Sequence, residues 1–506
     1  MKRLLLLPPL LAPLGGLATD GDPTYHRDIA PIVYANCTGC HRPGESSPFP
    51  LTSYAEVSRR AKTIGQAVND RYMPPWHAND EATKFLDVRR LSTGQLEAID
   101  RWIEAGKPEG DPADAPEPPT FAEGWQLGEP DLVLTMAEAY EVPAEGRDIY
   151  RNFVLPLDLP EDKWIKAIEL RPSARSVVHH SLYFLDSTGE ARKLDGQDGK
   201  PGFSGMRFRT GGSIGAYVPG ATPRKLPGDL ARALPKGSDL VLSTHFHPSG
   251  KAEREQTTVG IHFADAAPER KLQDLQVPPN FGRGTGLDIP AGAKDYRIED
   301  TFTLPVDVEA HFVSGHAHYL CETMRMTATL PDGSELVLLD IPDWDIDWQD
   351  TYYFAEPVSL PVGTVLKSVI VYDNSADNPD NPSRPPVRVK WGEQSTDEMG
   401  TITLSGVTLD ADDAATLRRS SQEARAKIIA RLGHELRDQG VLERLPQIVK
   451  SLDANGDGRL QESELPQRLR GALLLRLDRD GDGALDATEL ETLRKWLETL
   501  KTQQEP

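Results

Sequence analysis

The residues with the clearest chemistry are Cys37, Cys40 and His41, which form a Cys-x-x-Cys-His motif. Two thiols one helical turn apart can add to the two vinyl groups of a haem, and the adjacent histidine can ligate its iron. A redox Cys-x-x-Cys pair and half of a zinc site are the alternatives. The histidine that follows the motif, an export-type N terminus and the absence of other clustered cysteines favour covalently attached haem c.

A second axial ligand for this iron is expected further along the chain. We predict Met73, in the run Arg-Tyr-Met-Pro-Pro-Trp-His-Ala, with His77 as its competitor and His26 as a structural residue. The stretch from Tyr25 to Gly106 resembles small class I c-type cytochrome domains, with the haem motif on the first helix and Trp102 on the last.

The histidines form a second group of chemistry-bearing residues, because eight of the twelve fall between positions 179 and 318. Residues two apart in a strand share a face. His316 and His318 can therefore bind one metal ion, and so can His245 and His247, although His247 is predicted to support the site rather than ligate. Imidazoles combined with a thioether suit copper.

Three segments in this region resemble the copper type II, ascorbate-dependent monooxygenases, the family of peptidylglycine hydroxylase and dopamine β-hydroxylase. They are Val-Val-His-His-Ser-Leu-Tyr-Phe, Leu-Val-Leu-Ser-Thr-His-Phe-His, and His-Ala-His-Tyr-Leu with the later Ser-Thr-Asp-Glu-Met-Gly. The ordered set, spanning about residues 128–410, is more specific than any one segment.

The resemblance implies two copper sites on two β-sandwich domains. It implies an electron-transfer copper held by His179, His180 and His245. The second copper, which binds O2 and lies at the catalytic centre, would be held by His316, His318 and Met399. The family inserts oxygen into a C–H bond of its substrate.

Two positions depart from the peptide-amidating members of this family. The arginine and the tyrosine that hold the substrate carboxylate there are replaced by Ser314 and Thr403, which argues against a peptidylglycine substrate. Trp344 and Trp348 are candidates for the pocket lining, with packing as the alternative role.

Other residues near these motifs have simpler expected roles. Met324 and Met326 compete with Met399 as thioether ligands, Cys321 is expected to be buried, and an alternative is that its thiolate perturbs the copper. We expect structural roles for the remaining histidines, which are His262, His311 and His434.

A calcium module is predicted near the C terminus. Two segments fit the EF-hand loop pattern, with glycine at the turn and glutamate at the last position. The predicted ligands are Asp453, Asn455, Asp457, the Arg459 carbonyl and Glu464 in the first loop, and Asp478, Asp480, Asp482, the Ala484 carbonyl and Glu489 in the second. We expect two calcium ions with a structural role, and a regulatory role is the alternative.

Composition and periodicity suggest how these modules are arranged. We predict a multidomain protein with an all-α cytochrome c domain, two all-β jelly-roll-like sandwiches and an all-α EF-hand domain. The predicted boundaries are 1–18 for a signal peptide, 20–112 for the cytochrome domain, 113–127 for a linker, 128–280 and 281–410 for the two sandwiches, and 411–506 for the EF-hand pair.

The leader and the charge suggest where the protein works. Lys2 and Arg3 precede an apolar stretch, and small residues lead to a cleavage site after Ala18, so we expect a periplasmic or secreted protein without membrane insertion. A net charge of −22 argues against a nucleic-acid partner.

The first function hypothesis is therefore a monooxygenase acting on a small organic substrate and O2. Its electrons would enter through the fused haem from a redox protein or an ascorbate-like reductant. The alternative is a non-catalytic electron-transfer or copper-handling protein, and reduction of a nitrogen oxide is a third option.

Overall fold

The computed structural model describes residues 21–45, 47–121, 124–206, 208, 213–219, 223–392, 394–438, 441–461, 464–465 and 484–502, and for 427–446, 493 and 496–502 the backbone alone. The predicted signal peptide, residues 1–18, lies outside these ranges, and so do the second-loop candidates Asp478, Asp480 and Asp482. The His434 side chain also lies outside them.

Strands dominate the chain, and this overturns the predicted fold class. Helices account for only 19%, no sizeable all-α cytochrome domain forms, and the EF-hand is a small C-terminal part. Four four-stranded sheets lie in an arrangement like a four-bladed propeller in place of the predicted pair of jelly rolls. The physical reason at the N-terminal end is that residues 43–48 and 75–89, expected to be part of a helical domain, belong to the strand-rich unit.

The smaller of two compact units contains residues 21–42, 49–74 and 90–119 of the described chain. Its helices are α1 (Ala30–Asn36), α2 (Tyr54–Asn69) and α3 (Thr93–Glu104). Ser53 and Ser92 accept the backbone N–H of Glu56 and Gln95 and so cap α2 and α3 through capping boxes. Tyr25, Val57 and Trp102 are among the buried residues of the shared core.

The strand-rich unit begins with two sheets, ordered β1-β10-β4-β7 and β3-β8-β5-β6. Their strands are β1 (Leu132–Thr135), β2 (Tyr140–Val142), β3 (Ile149–Pro156), β4 (Lys163–Arg171), β5 (Val178–Asp186), β6 (Gly215–Tyr217), β7 (Arg232–Leu234), β8 (Asp239–Phe246), β9 (Glu253–Glu255) and β10 (Thr258–Phe263), with the short helix α4 (Glu190–Leu194) after β5. β2 and β9 form a separate two-stranded pair. Side chains of both four-stranded sheets, such as Ile261 and Leu242, meet in one buried cluster.

Two further sheets follow, ordered β11-β20-β14-β17 and β13-β18-β15-β16. Their strands are β11 (Gln273–Val277), β12 (Asp288–Ile289), β13 (Tyr296–Thr303), β14 (Val308–Ala317), β15 (Cys321–Thr329), β16 (Glu335–Ile341), β17 (Thr351–Leu360), β18 (Val365–Tyr372), β19 (Val389–Lys390) and β20 (Gly400–Thr408). β12 and β19 pair separately. Leu404 and Ile370 represent the two four-stranded sheets in a second buried cluster.

Residues 75–89 cross this second cluster as an extended segment. Trp76 and Phe85 are buried in it, and Phe85 forms a backbone bridge with Phe354 of β17. The Trp76 ring meets the Tyr352 ring edge-on at 5.1 Å between centroids. Apolar burial therefore ties this segment to the sheets.

Helices return at the C-terminal end. They are α5 (Asp413–Asp438), α6 (Val441–Leu452) and α7 (Ala487–Thr502), with the short strands β21 (Leu460–Gln461) and β22 (Ala484–Leu485) paired antiparallel. Among the described residues, no helix combines the length and apolar composition required to cross a bilayer.

Candidate metal centre

A break in strand regularity brings three histidines together. His180 of β5 lies directly across from His245 of β8, and the register shifts between Val178 and His180. In a regular strand, adjacent side chains point to opposite faces, whereas a bulge re-aims one of them. The shift at His179 therefore lets both histidines of the pair approach His245.

The three imidazoles are spaced for one metal ion. Each of His179, His180 and His245 offers a ligand nitrogen, and these atoms all lie within 4.8 Å of one another. Nδ1 of His179 is 3.2 Å from Nδ1 of His245. His180 is buried, and its Nδ1 has no hydrogen-bond partner among the described residues. An uncompensated buried imidazole nitrogen is costly unless a ligand occupies it.

Two carboxylates orient these rings from the outer side. Asp347 Oδ1 is 3.0 Å from Nε2 of His179, and Asp148 Oδ2 is 2.8 Å from Nε2 of His245. When Nε2–H donates to a carboxylate, the neutral ring presents Nδ1 to a metal. The exposed His247 donates to the other oxygen of Asp148 at 2.9 Å, so it supports the cluster from its edge.

A second histidine pair lies at the end of β14. The His316 and His318 rings are 5.5 Å apart between centroids. Nδ1 of His316 bonds to Oε1 of Gln349, and Nδ1 of His318 lies 3.2 Å from the Asp397 carbonyl. Both rings can donate through Nδ1, which leaves Nε2 of each available as a ligand.

The pairing of β14 with β20 places Met399 beside this histidine pair. Ala317 lies opposite Gly400, so one further residue on each strand sets His318 beside Met399. The buried carboxylate of Glu398 accepts the backbone N–H groups of both His318 (3.0 Å) and Met399 (2.9 Å), and that of Leu320. Glu398 therefore fastens the ends of β14 and β20 to each other.

Glu398 was missed as a site residue in the sequence, although it stands within the Ser-Thr-Asp-Glu-Met-Gly segment. Burial raises its pKa to about 8 against the opposing effect of those backbone donors. Asp148 shows the opposite balance: burial works to raise its pKa, but hydrogen bonds from His245 and His247 lower it to about 2.

Burial favours the neutral, metal-binding form of the imidazoles of His180, His245, His316 and His318. Burial lowers the pKa of His316 to about 4 and that of His318 to about 3. Burial also lowers the pKa of His180 and His245, and neighbouring histidines add to the effect.

Hydrogen bonds link the surroundings of the two groups. The Tyr319 hydroxyl, next to His318, donates to Asp148 at 3.2 Å, the carboxylate that holds His245. The turn Ile346–Trp348 and the residue after it supply an acceptor to each group, since Asp347 contacts His179 and Gln349 contacts His316.

The other residues considered for the metal sites are buried in the core or contact groups outside these sites. Met324 and Met326 are fully buried in the second apolar cluster. Cys321 is 5% exposed, and burial raises the pKa of its thiol well above the usual range. Trp344 is buried and donates its indole N–H to the His318 carbonyl at 3.2 Å. His311 contacts Glu309, and His262 is buried.

The haem-motif residues lie at the end of α1. His41 N–H donates to the Cys37 carbonyl at 2.9 Å, and Cys40 does so at 3.1 Å, which places the motif on one helical turn. Nδ1 of His41 lies 3.1 Å from the Phe49 carbonyl and can donate to it, so Nε2 is available for iron. Burial raises the pKa of Cys37 to about 12.

The two candidates for the second axial position belong to different units. Met73 follows α2, and its backbone N–H donates to the Ala67 carbonyl. His77 belongs to the strand-rich unit, where its Nδ1 lies 2.9 Å from the Asp343 carbonyl. His26 lies 3.6 Å from Glu109.

The first predicted calcium loop is closed by hydrogen bonds from its backbone N–H groups to its own carboxylates. Asp453 accepts N–H groups from Gly456 and Gly458 at 2.7 and 2.9 Å, and Glu464 folds back onto Ala454 N–H at 2.8 Å. β21 and β22, one from each loop, pair antiparallel. The oxygens of the loop can thus converge on one cation.

Among known protein families, a match is found to the C-terminal part of the chain. The profile of the EF hand family matches residues 471–493, which supports calcium binding there. No curated protein shows a significant match to the chain.

Solved structures give weak similarities. The major capsid protein P2 of bacteriophage PM2 is 11% identical, with 52% of this chain and 98% of that chain covered and a TM-score of 0.24. PNGF-II is 10% identical, with 55% and 65% covered and a TM-score of 0.24. Neither likeness bears on function.

Proposed function

We propose that the chain is a copper-dependent monooxygenase that hydroxylates a C–H bond with O2 and receives electrons through an attached c-type haem. The observation that carries the proposal is the cluster of His179, His180 and His245, whose ligand nitrogens lie within 4.8 Å of one another. The imidazoles of His316 and His318 would provide the other metal site that this chemistry requires, and Tyr319, next to His318, donates to the Asp148 carboxylate beside the first cluster.

The donor set fits copper. His179, His180 and His245 would hold one ion through nitrogen alone, and His316, His318 and Met399 would hold the other through two nitrogens and a thioether. Copper bound there would supply one-electron chemistry toward O2. Asp347, Asp148 and Gln349 keep the ring orientations fixed, as acceptors in the second coordination shell do.

The haem assignment depends on the end of α1. Cys37 and Cys40 would hold the haem covalently, His41 would ligate its iron through Nε2, and Met73 is proposed as the second iron ligand. The bound haem would supply single electrons. The Phe49 carbonyl, which accepts from His41 Nδ1, fixes the orientation of that ring.

The predicted leader and the calcium loops suggest an exported protein in which calcium has a structural role. The first loop would complete a pair with the matched EF-hand, whose strand β22 pairs with β21. We propose a small organic molecule as substrate and a redox protein or an ascorbate-like reductant as donor, with neither nucleic acid nor membrane insertion involved.

Metal analysis of the purified chain tests this assignment. We expect one iron, two coppers and two calciums per chain, and a His179→Ala variant should retain iron and calcium while losing one copper. Met399→Ala separates catalysis from copper handling, because an enzyme loses turnover while its haem can still be reduced. Zinc in place of copper, or copper that stays bound in the His179 variant, would contradict the proposal.

A further inference from the structure

An arginine of α2 lies over the ring of Phe49, close to the Cys-x-x-Cys-His motif. The Arg60 Cζ atom is 4.3 Å from the centroid of the Phe49 ring. Phe49 also lies next to His41, because the two ring centroids are 5.0 Å apart and the Phe49 carbonyl can accept from Nδ1 of His41. Phe49 therefore contacts both Arg60 and His41, and all three residues belong to the smaller compact unit.

The Arg60 charge has no counter-ion among the described residues. The side chain is half-buried, and its Nη1 is shielded from solvent without a hydrogen-bond partner in the described part of the chain. Other arginines of this unit have acceptors: Arg71 donates to the Leu91 carbonyl at 2.9 Å, and Arg27 pairs with Asp28 at 3.0 Å. A shielded guanidinium nitrogen without an acceptor costs free energy, so its position indicates a bound anion.

The acidic residue best placed to pair with Arg60 has other partners. Glu56 precedes Arg60 by one turn of α2, a spacing that allows an ion pair. Its Oε2 instead accepts the backbone N–H groups of Thr52 and Ser53 at 2.8 and 3.0 Å, within the capping box of the helix. Glu56 is the only acidic residue of α2. The helix therefore supplies no counter-ion to Arg60.

The Arg60 charge also acts on the proposed iron ligand. Burial lowers the pKa of His41, the hydrogen bond to the Phe49 carbonyl opposes this effect, and the positive charge of Arg60 lowers the pKa further. A haem attached at Cys37 and Cys40 and ligated by His41 would bring two propionate carboxylates to this part of the unit. The two oxygens of a carboxylate match the planar N–H groups of a guanidinium.

We propose that Arg60 binds a haem propionate through charge-assisted hydrogen bonds. The contact with the Phe49 ring would keep the guanidinium plane in place for this role. Arg60 would act as a positioning residue, and its charge would offset that of the propionate and so favour the reduced haem. This inference rests on the proposed function, because it requires the haem at Cys37 and Cys40.

Resonance Raman spectroscopy of the full, haem-loaded chain tests the propionate contact. Hydrogen bonds to a propionate raise the frequency of its bending band. Arg60→Leu removes every donor and should lower this frequency, and Arg60→Lys, which keeps the charge without the planar pair of N–H groups, should lower it less. Arg59→Leu is the matched control and should leave the band unchanged, because Arg59 is the adjacent, exposed arginine of α2.

Redox titration of the same four proteins gives a second measurement. Without Arg60, the propionate charge would stabilise Fe(III), so Arg60→Leu should raise the Fe(III)/Fe(II) ratio at a fixed potential by about three- to tenfold. Arg60→Lys and Arg59→Leu should stay within about twofold of wild type, since the first keeps the charge and the second changes a screened one.

An unshifted propionate band in Arg60→Leu, or an equal shift in Arg59→Leu, would overturn the proposal. If Arg60→Leu does not retain haem, the test passes to Arg60→Lys. Its band should then lie below that of wild type, and equal frequencies would contradict the contact.

Covalent haem content distinguishes this failure from failure of the proposed function. A chain with attached haem and an unshifted band in the Arg60 variants refutes the propionate contact alone. A chain without covalent haem refutes electron entry through a c-type haem. Attached haem with the expected shifts but no bound copper supports the contact and refutes the monooxygenase.

Discussion

Asp347 Oδ1 lies 3.0 Å from Nε2 of His179, on the side of the ring opposite the nitrogen that faces His245. Asp347→Asn keeps the shape but replaces the carboxylate with a weaker acceptor. We expect about 10- to 100-fold weaker copper binding at the His179 cluster, the usual effect of losing such a partner. A competition titration with a copper chelator measures it.

Asp377→Asn is the matched control for that substitution, because Asp377 is an exposed aspartate that pairs with Lys294. It should bind copper as wild type does. Equal affinities for Asp347→Asn and Asp377→Asn would show that the carboxylate does not orient the ligand.

Gly282 offers a prediction about the loop that carries Phe281. Gly282 has φ of +77°, and an added Cβ would lie 2.7 Å from the Gly400 carbonyl oxygen. Gly282→Ala should therefore lower the free energy of unfolding by about 2–4 kcal/mol, from backbone strain plus the clash. Denaturant unfolding measures the change.

Gly292→Ala separates the two causes. Gly292 has φ of +79° but nothing within 4 Å of the added Cβ. Its cost should be that of backbone strain alone, about 1–2 kcal/mol. If both variants unfold at the same denaturant concentration, the close approach of Gly282 to β20 adds nothing to the loss of unfolding free energy.

The ion pair between Arg151 and Asp198 predicts a pH dependence of stability. The hydrogen bond from the buried Arg151 guanidinium lowers the pKa of Asp198 to about 2. A depressed folded-state pKa contributes stability that is complete above the unfolded value near 4 and is lost as pH falls through about 2. The contribution is modest, because half of the Asp198 side chain is exposed.

Wild type and Asp198→Asn should therefore differ by a constant unfolding free energy between pH 5 and 8. The difference should shrink below about pH 4. Urea unfolding at several pH values tests this, and a gap that widens toward low pH would refute the assignment.

A substitution in the first calcium loop should reduce the number of calcium ions that the chain binds. Glu464 supplies the last carboxylate of the loop, and Glu464→Gln should remove one of two bound calciums. Calorimetric calcium titration measures this, with Glu423→Gln on α5 as control because Glu423 is exposed and outside the loop. Two calciums in the Glu464 variant would exclude this loop as a site.

The sequence predicted local features better than architecture. The strand character of the His245 segment follows from short-range chemistry, and the EF-hand pattern predicted the matched C-terminal part. Residues 75–89 were misassigned to a helical domain, because only tertiary burial of Trp76 and Phe85 ties them to the sheets.

The candidate site was predictable where residues are close in sequence. Spacing indicated that His316 and His318 share a face, whereas His179 reaches His245 through a bulge that no spacing rule encodes. Asp347 and Asp148 are separated by many residues in the sequence from His179 and His245, the histidines whose rings they orient.

The most direct test of the proposed function follows haem reoxidation in the copper-loaded chain, after its reduction, when O2 and a small organic substrate candidate are added. We expect rapid reoxidation with hydroxylated product, and slow reoxidation without product in copper-free protein and in His316→Ala. Reoxidation at one rate in all three samples would contradict electron transfer from the haem to copper at these histidines.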